Sequence, residues 1–309
     1  MSGIHHVTAI SGRADRNLDF YTRVLGLRLV KKTVNFDDPG TYHLYYGDEA
    51  GAPGTILTFF PWEHAAPGRL GPGETSETAF RVPAASIGYW SQRLIEKGVT
   101  HSGPEKRFGE TVLPFTDQDG MAFTLVGVPG AETEKGYASE VPAEHAIRGF
   151  HGVTLLVAKA APTAAILDVL GFRHVAQEGA ITRYRADGVT NGAVVDLREA
   201  GDFPRGRLGR GSVHHVAFRA RDDAEEFALR DRLAKEQGIQ TTEQKDRNYF
   251  RSIYFREPGG VLFEIATDDP GFAVDEPAAS LGQSLKLPPM YESRRAEIEA
   301  KLPPLMETV

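Results

Sequence analysis

Two short apolar stretches of this chain each carry a doubled histidine: Gly3-Ile-His-His-Val-Thr8 and Gly211-Ser-Val-His-His-Val-Ala-Phe218. Each reads as the start of a half-buried strand. Side chains alternate faces along a strand, so only one histidine of each pair can point into a given interior. The second of each pair, His6 and His215, continues an inward set (Ile4, His6, Thr8; Val213, His215, Ala217). A third copy, Gly149-Phe-His-Gly-Val-Thr154, has one histidine, His151. Downstream of His215, the run Pro258-Gly-Gly-Val-Leu-Phe-Glu-Ile-Ala266 sets Glu264 in the middle of an apolar strand. A lone buried carboxylate is costly, and a metal ion is one of the few partners that makes it tolerable. Two imidazoles and one carboxylate, with coordination positions left open for substrate and O2, are the donor set of a non-haem Fe(II) site.

The histidine strands belong to a larger internal repeat. The first unit has a strand at 4–10, a helix at about Arg16–Leu25 stopped by Gly26, and strands near 28–35, 41–47 and 55–60. The second opens at Glu77–Val82, has a helix at Ile87–Lys97 before Gly98, and closes with the strand in 119–126. A stretch rich in Glu, Gly and Ala, 129–145, reads as a linker. The third unit runs from His151–Val157 through a helix at Pro162–Leu170 to a strand at 192–197. The fourth starts at Ser212, has a helix at Ala224–Gln237 before Gly238, and finishes with a strand at 261–266. The expected organisation is therefore a first half over 1–130, a second half over 148–270, and a C-terminal tail over 271–309 ending in a short charged helix at Tyr291–Lys301.

Composition narrows the function classes. The net charge of -7 argues against nucleic acid or an anionic membrane as partner, since either favours a basic face. No apolar run approaches the ~20 residues of a membrane span. With a strand entered at Ile4, neither a signal peptide nor a lipidation motif fits the N-terminus. Cysteine is absent, which removes disulfides, thiolate metal sites and cysteine nucleophiles together. An enzyme of the cytoplasm is the simplest expectation, and association into a homo-oligomer is left open.

Aligning the units shows where ligands can meet. Glu264 stands where the first unit has Thr58, the second Thr124 and the third Asp196; the opening strands set His6, Glu77, His151 and His215 in one column. The first and fourth units together supply two histidines and one glutamate. Pairing sequential units would instead gather His215 and Glu264 with His151 and Asp196, and spacing alone leaves both arrangements open.

Four such strand–helix–three-strand units resemble the vicinal oxygen chelate superfamily, in which two units close into a cupped sheet around a metal. The segments Ile4-His-His-Val-Thr8, Tyr42-His-Leu-Tyr-Tyr46, Gly51-Ala-Pro-Gly-Thr55, Glu144-His-Ala-Ile-Arg-Gly-Phe-His151, Asp246-Arg-Asn-Tyr-Phe250 and Ser280-Leu-Gly-Gln-Ser-Leu-Lys286 resemble the ring-cleaving dioxygenases that act on hydroquinones. The resemblance implies an α+β fold of four βαβββ modules in two cupped sheets, with units one and four around the metal and units two and three forming a metal-free barrel. It implies His6, His215 and Glu264 as ligands of Fe(II), with Mn(II) sharing the ligand set, and an aromatic substrate and O2 as partners. It also implies active-site places for Arg247, Tyr254, His5 and His214. Tyr254 is expected to hydrogen-bond the ring oxygen and Arg247 to stabilise developing negative charge. Thr8, on the face of His6, is expected to line the pocket. Regular alternation turns His5 and His214 away from the metal, so a bulge or an indirect role is needed. His151 and Asp196 are expected to hydrogen-bond within the second barrel, and His43 and His145 receive no chemistry. A glyoxalase-like isomerase is the enzymatic alternative, although its usual site has a carboxylate where this chain has Thr58. An aromatic-drug-binding resistance protein, needing no metal triad, is the non-enzymatic one.

Overall fold

A computed structural model of the chain describes residues 3–305. Its strands and helices repeat one unit four times, always strand, helix, three strands. In the first the order is Ile4–Ser11, a helix from Ala14 to Val24, then Arg28–Val34, Tyr42–Gly47 and Ile56–Pro61. The second has Glu74–Pro83, the helix Ile87–Glu96, then Glu105–Arg107, Glu110–Thr116 and Ala122–Val128. The third has Phe150–Val157, the helix Ala160–Val169, then Phe172–Glu178, Ile181–Ala186 and Val194–Glu199. The fourth has Ser212–Ala220, the helix Asp223–Gln237, then Lys245–Asp246, Phe250–Arg256 and Leu262–Pro270.

Among the described residues these strands form two eight-stranded sheets, and neither is built from sequential units. Units one and four share one sheet, their opening strands Ile4–Ser11 and Ser212–Ala220 lying antiparallel at its middle. Units two and three share the other, joined through Glu74–Pro83 and Phe150–Val157. The fold is α+β, two curled half-barrels with few helices. The main core packs aromatic residues of both sheets, such as Phe59, Phe80, Phe123, Phe218 and Phe263, with helix residues Tyr21, Trp90 and Leu233.

Helix limits depart from the sequence reading at the first and last helices. The first helix begins at Ala14 and widens into a π-turn over Phe20–Val24, with Leu25 N–H donating to Phe20 O. That wide turn buries Phe20, Tyr21 and Val24 together. The last helix is α only over Arg295–Lys301, preceded by a 3-10 stretch at Pro289–Arg294. The tail runs along the outer strand Arg28–Val34 and covers its edge. Buried Lys31 donates to Asp275 (2.5 Å) and Glu276 (2.6 Å), and Tyr291 Oη donates to Phe36 O at 2.7 Å.

The opening strands carry the largest correction. Between Ile4 and His6 the pairing slips by one residue against Ser212–Ala220, leaving His5 extra; between Thr8 and Ala9 it slips the other way, leaving His214 extra. These are β-bulges, and each flips the alternation behind it. Ile4 and Val213 therefore lie in the main core with Val7, Ala9 and Val216, rather than on the face of His6 and His215.

Candidate metal centre

His6 and His215 approach each other across the two central strands, and Glu264 comes from Leu262–Pro270, paired beside Ala217 on one flank and Tyr254 on the other. His6 Nε2 and His215 Nε2 lie 3.4 Å apart. Glu264 Oε2 is 3.2 Å from the first and 2.9 Å from the second. A divalent ion with N and O bonds of about 2.1 Å needs donor atoms about 3.0 Å apart at right angles and about 3.4 Å apart in a tetrahedron. The triangle fits either. Among the described residues it is the group of histidine and acidic side chains able to hold a metal ion.

Glu264 is fully buried, and neither of its oxygens receives a well-formed hydrogen bond. Burial pushes its carboxyl upward, but the facing His6 and His215 prevail and hold it well below the usual carboxylate range. Burial holds His215 below the ordinary imidazole range, so it is neutral at pH 7. Two imidazole nitrogens around a bare buried carboxylate match a cation that supplies the missing charge.

The bulges bring the other histidine of each pair into register behind its neighbour. His5 Nδ1 lies 2.9 Å from His6 Nδ1, and His214 Nδ1 lies 2.8 Å from His215 Nδ1. A proton on Nδ1 of His6 or His215, donated to its neighbour, leaves Nε2 with a lone pair aimed at the centre. Burial and His215 push His214 down to about 3. Burial and then His6 hold His5 well below the usual range.

The triad lies at the base of a cavity of about 420 Å3, walled by Phe36, Phe60, Trp62, Phe250 and Tyr254. Tyr254 Oη accepts from Arg247 Nε at 3.1 Å and from Ser252 Oγ at 3.0 Å. Both acceptor positions are thereby occupied, and the phenol hydrogen is free to donate into the cavity. Arg247 also faces Phe36 and lies 3.7 Å from Asp37. Thr8 and His214 line the same space; His5 sits behind His6, edge-on to Phe250.

The chain matches the Glyoxalase/Bleomycin resistance protein/Dioxygenase superfamily over residues 3–125 and 167–265. It belongs to that superfamily. It is 46% identical to the Bacillus subtilis (strain 168) protein MhqO, named as a ring-cleaving dioxygenase, over 98% of this chain and 96% of that one. It is 34% identical to the chlorohydroquinone/hydroquinone 1,2-dioxygenase of Sphingobium indicum, covering 96% and 95%. A crystal structure of a Bacillus subtilis protein named as a dioxygenase superposes with a TM-score of 0.93 at 45% identity, covering 99% and 98%.

The superfamily's repeated module serves a different end in the second sheet. There His151 is the bulged residue and corresponds to His5, so the column that put it beside His6 is corrected; Gly152 takes the place of His6. A Cβ on Gly152 would meet Val194 O at 2.1 Å, so no ligand side chain fits there. Arg183 pairs with Asp196 (2.8 Å) and Glu110 (2.7 Å) and packs on Phe108. His151 reaches Glu110 at 3.0 Å, and Arg107 holds Glu77 at 2.8 Å. A closed ion-pair cluster fills the volume that is open in the first sheet.

Several residues of the cavity carry no sequence signal of their place, among them Phe36, Trp62 and His43. Phe36 and Trp62 lie in turns, where no periodicity marks a facing side. His43 lies in the family-like Tyr42–Tyr46 segment, on the same face of its strand as Tyr45. Burial, then His215 and His6, hold it well below the usual imidazole range.

Proposed function

We propose that this chain is a metal-dependent dioxygenase that opens the ring of a hydroquinone with O2, next to a hydroxylated carbon, giving a ring-opened acid. The observation that carries the reading is the buried triangle of His6, His215 and Glu264 at the base of an aromatic-walled cavity. The near full-length similarity to a hydroquinone 1,2-dioxygenase supports the substrate class.

His6, His215 and Glu264 would hold the ion, Fe(II) in this reading, with Mn(II) compatible with the same donors. When bound, such a +1 centre lowers the pKa of a ring hydroxyl and lets electrons pass from the ring to O2. The remaining work falls to the chain's own groups. Tyr254 donates its free O–H to the ring oxygen, and Arg247 holds Tyr254 and adds positive charge beside it. With Nδ1 of His214 accepting from His215, its Nε2–H is a further donor facing the ligand. A hydroquinone reaches the centre through one oxygen only, so these contacts fix its orientation, while Phe60, Trp62 and Phe36 cover the ring and exclude water.

Elemental analysis together with oxygen uptake on a panel of hydroquinones and catechols tests the reading. Iron with uptake on hydroquinones is expected. Uptake on catechols alone would overturn the substrate, and a protein that gathers no metal would overturn the mechanism.

A further inference from the structure

Asn35 follows the strand Arg28–Val34 and opens the loop that carries Phe36 over the cavity. It is 8% exposed, and the loop holds it from several sides. Its N–H donates to Thr41 O at 2.9 Å, its carbonyl accepts from Asp38 N–H at 3.2 Å, and its side-chain Oδ1 accepts from Asp37 N–H at 2.9 Å. A backbone N–H can only donate, so the atom that faces Asp37 is the amide oxygen, and turning the amide over would lose that bond. Nδ2 is thereby directed away from the loop. It has no hydrogen-bond partner among the described residues and is not sealed in by protein, so its hydrogens open onto the cavity that Asn35 lines.

The sheet sets this donor apart from the triad. Arg28–Val34 is the outermost strand on the first unit's side, three strands from Ile4–Ser11 at about 4.8 Å per strand. The sheet curls, and the loop comes round to meet Arg247, which lies 3.7 Å from Asp37. Asn35 therefore stands at the rim of the cup, with the triad at its base. A hydroquinone held at the base through one oxygen points its other oxygen away from the metal, and an unpaired hydroxyl in an aromatic-walled space is costly. Asp37, Asp38, Thr242 and Lys245 also border the cavity, but all four are exposed, so bulk water competes for them. Asn35 is buried, and a buried donor left unpaired discriminates against a ligand that cannot satisfy it.

We propose that Asn35 is a substrate-binding residue whose Nδ2 donates to the ring oxygen remote from the metal, so that the site selects aromatic ligands with an oxygen para to the metal-bound one. The identity of the ligand rests on the dioxygenase reading; the direction of the Asn35 amide does not. Calorimetry without oxygen on the iron-loaded full chain tests it with para-methoxyphenol, whose far oxygen can only accept, and phenol, which has no far oxygen. The unaltered chain should bind para-methoxyphenol about 3- to 10-fold more tightly than phenol, the worth of one neutral hydrogen bond. Asn35→Asp keeps an acceptor for Asp37 N–H but sets a second acceptor where the donor was, so this preference should fall to about one or below with metal content unchanged. The ratio of the two constants cancels any effect of the substitution on the metal or on the hydroxyl that both ligands share. Hydroquinone can donate to the new carboxylate and should still bind more tightly than phenol. Equal binding of para-methoxyphenol and phenol by the unaltered chain, a preference that persists in Asn35→Asp, or a hydroquinone no better than phenol in that variant overturns the proposal. Oxygen uptake on hydroquinone alongside any of these results leaves the dioxygenase reading standing. The expected pattern of binding without any oxygen uptake would instead sink that reading and leave the Asn35 contact in place.

Discussion

Replacing Tyr254 by Phe removes one oxygen from the cavity wall and separates substrate orientation from metal holding. The hydroxyl accepts from Arg247 Nε and Ser252 Oγ, so its own hydrogen is left to donate into the cavity. A hydrogen bond to a ring oxygen bearing negative charge is worth about 1.5–3 kcal/mol, so kcat/KM should fall roughly 10- to 100-fold. The variant also strands two donors. Arg247 borders the cavity, where water can replace the phenol, whereas Ser252 is fully buried and its loss costs about 1 kcal/mol. For a chain of this size that lowers Tm by about 2 °C. Oxygen-electrode kinetics, metal content and a melting curve on one preparation give the three readouts. The expected pattern is full metal content, a small loss of Tm and a large loss of kcat/KM. Normal turnover would remove Tyr254 from the mechanism, and loss of metal would show that it acts on the centre's structure instead.

Replacing Glu264 or His215 by Ala leaves two donors, so metal content by elemental analysis should fall below about one tenth of that in the unaltered chain. Chelation of the unaltered protein should lower its Tm, and added metal should raise Tm with the logarithm of its concentration; a Tm indifferent to metal would refute the site. In the second sheet, Arg183→Met leaves Glu110 and Asp196 without their cation and should cost about 3–5 kcal/mol in denaturant melts, with metal content unchanged. Burial raises buried Glu226 to about 7 from an ordinary 4.5, with Gln244 as its hydrogen-bond donor. The unfolded chain then loses this proton first, so its contribution to stability falls as pH rises from about 4.5 to 7, by up to about 3 kcal/mol. Glu226→Gln should remove that part of the pH slope and be the more stable protein at pH 8, as judged by urea melts across that range.

The two sheets show why one module can gather a candidate metal triad in one place and an ion-pair cluster in another. In both, opening strands meet antiparallel and each carries one bulge. In the first sheet the positions facing the cup hold His6, His215 and Glu264, and the bulged positions hold His5 and His214 to orient them. In the second the same positions hold Gly152, Glu77 and Thr124, with His151 and Ser76 at the bulges. A glycine with no room for a Cβ removes one ligand, and Arg183 supplies positive charge in a cation's place. The cavity there is about 50 Å3, against about 420 Å3 in the first. Chemistry is thus set by a few face-directed residues and not by the fold that presents them.

What sequence could reveal divides along the same line. The repeat, its helices and the facing of Glu264 were legible because each leaves a periodic trace: apolar stripes, glycine stops, and a carboxylate where an apolar residue belongs. Strand alternation points to His6 and His215 in the doubled pairs, yet Ile4 and Val213 lie on the opposite face from them. A bulge adds one residue to one strand against its partner, so it exists only in the pairing of Ile4–Ser11 with Ser212–Ala220, residues far apart in the chain. No window along either strand contains that information. The same holds for the surroundings of Thr8: Thr58 comes from a parallel neighbour and His43 from one strand farther on, so their hydrogen bonds exist only in the folded pairing.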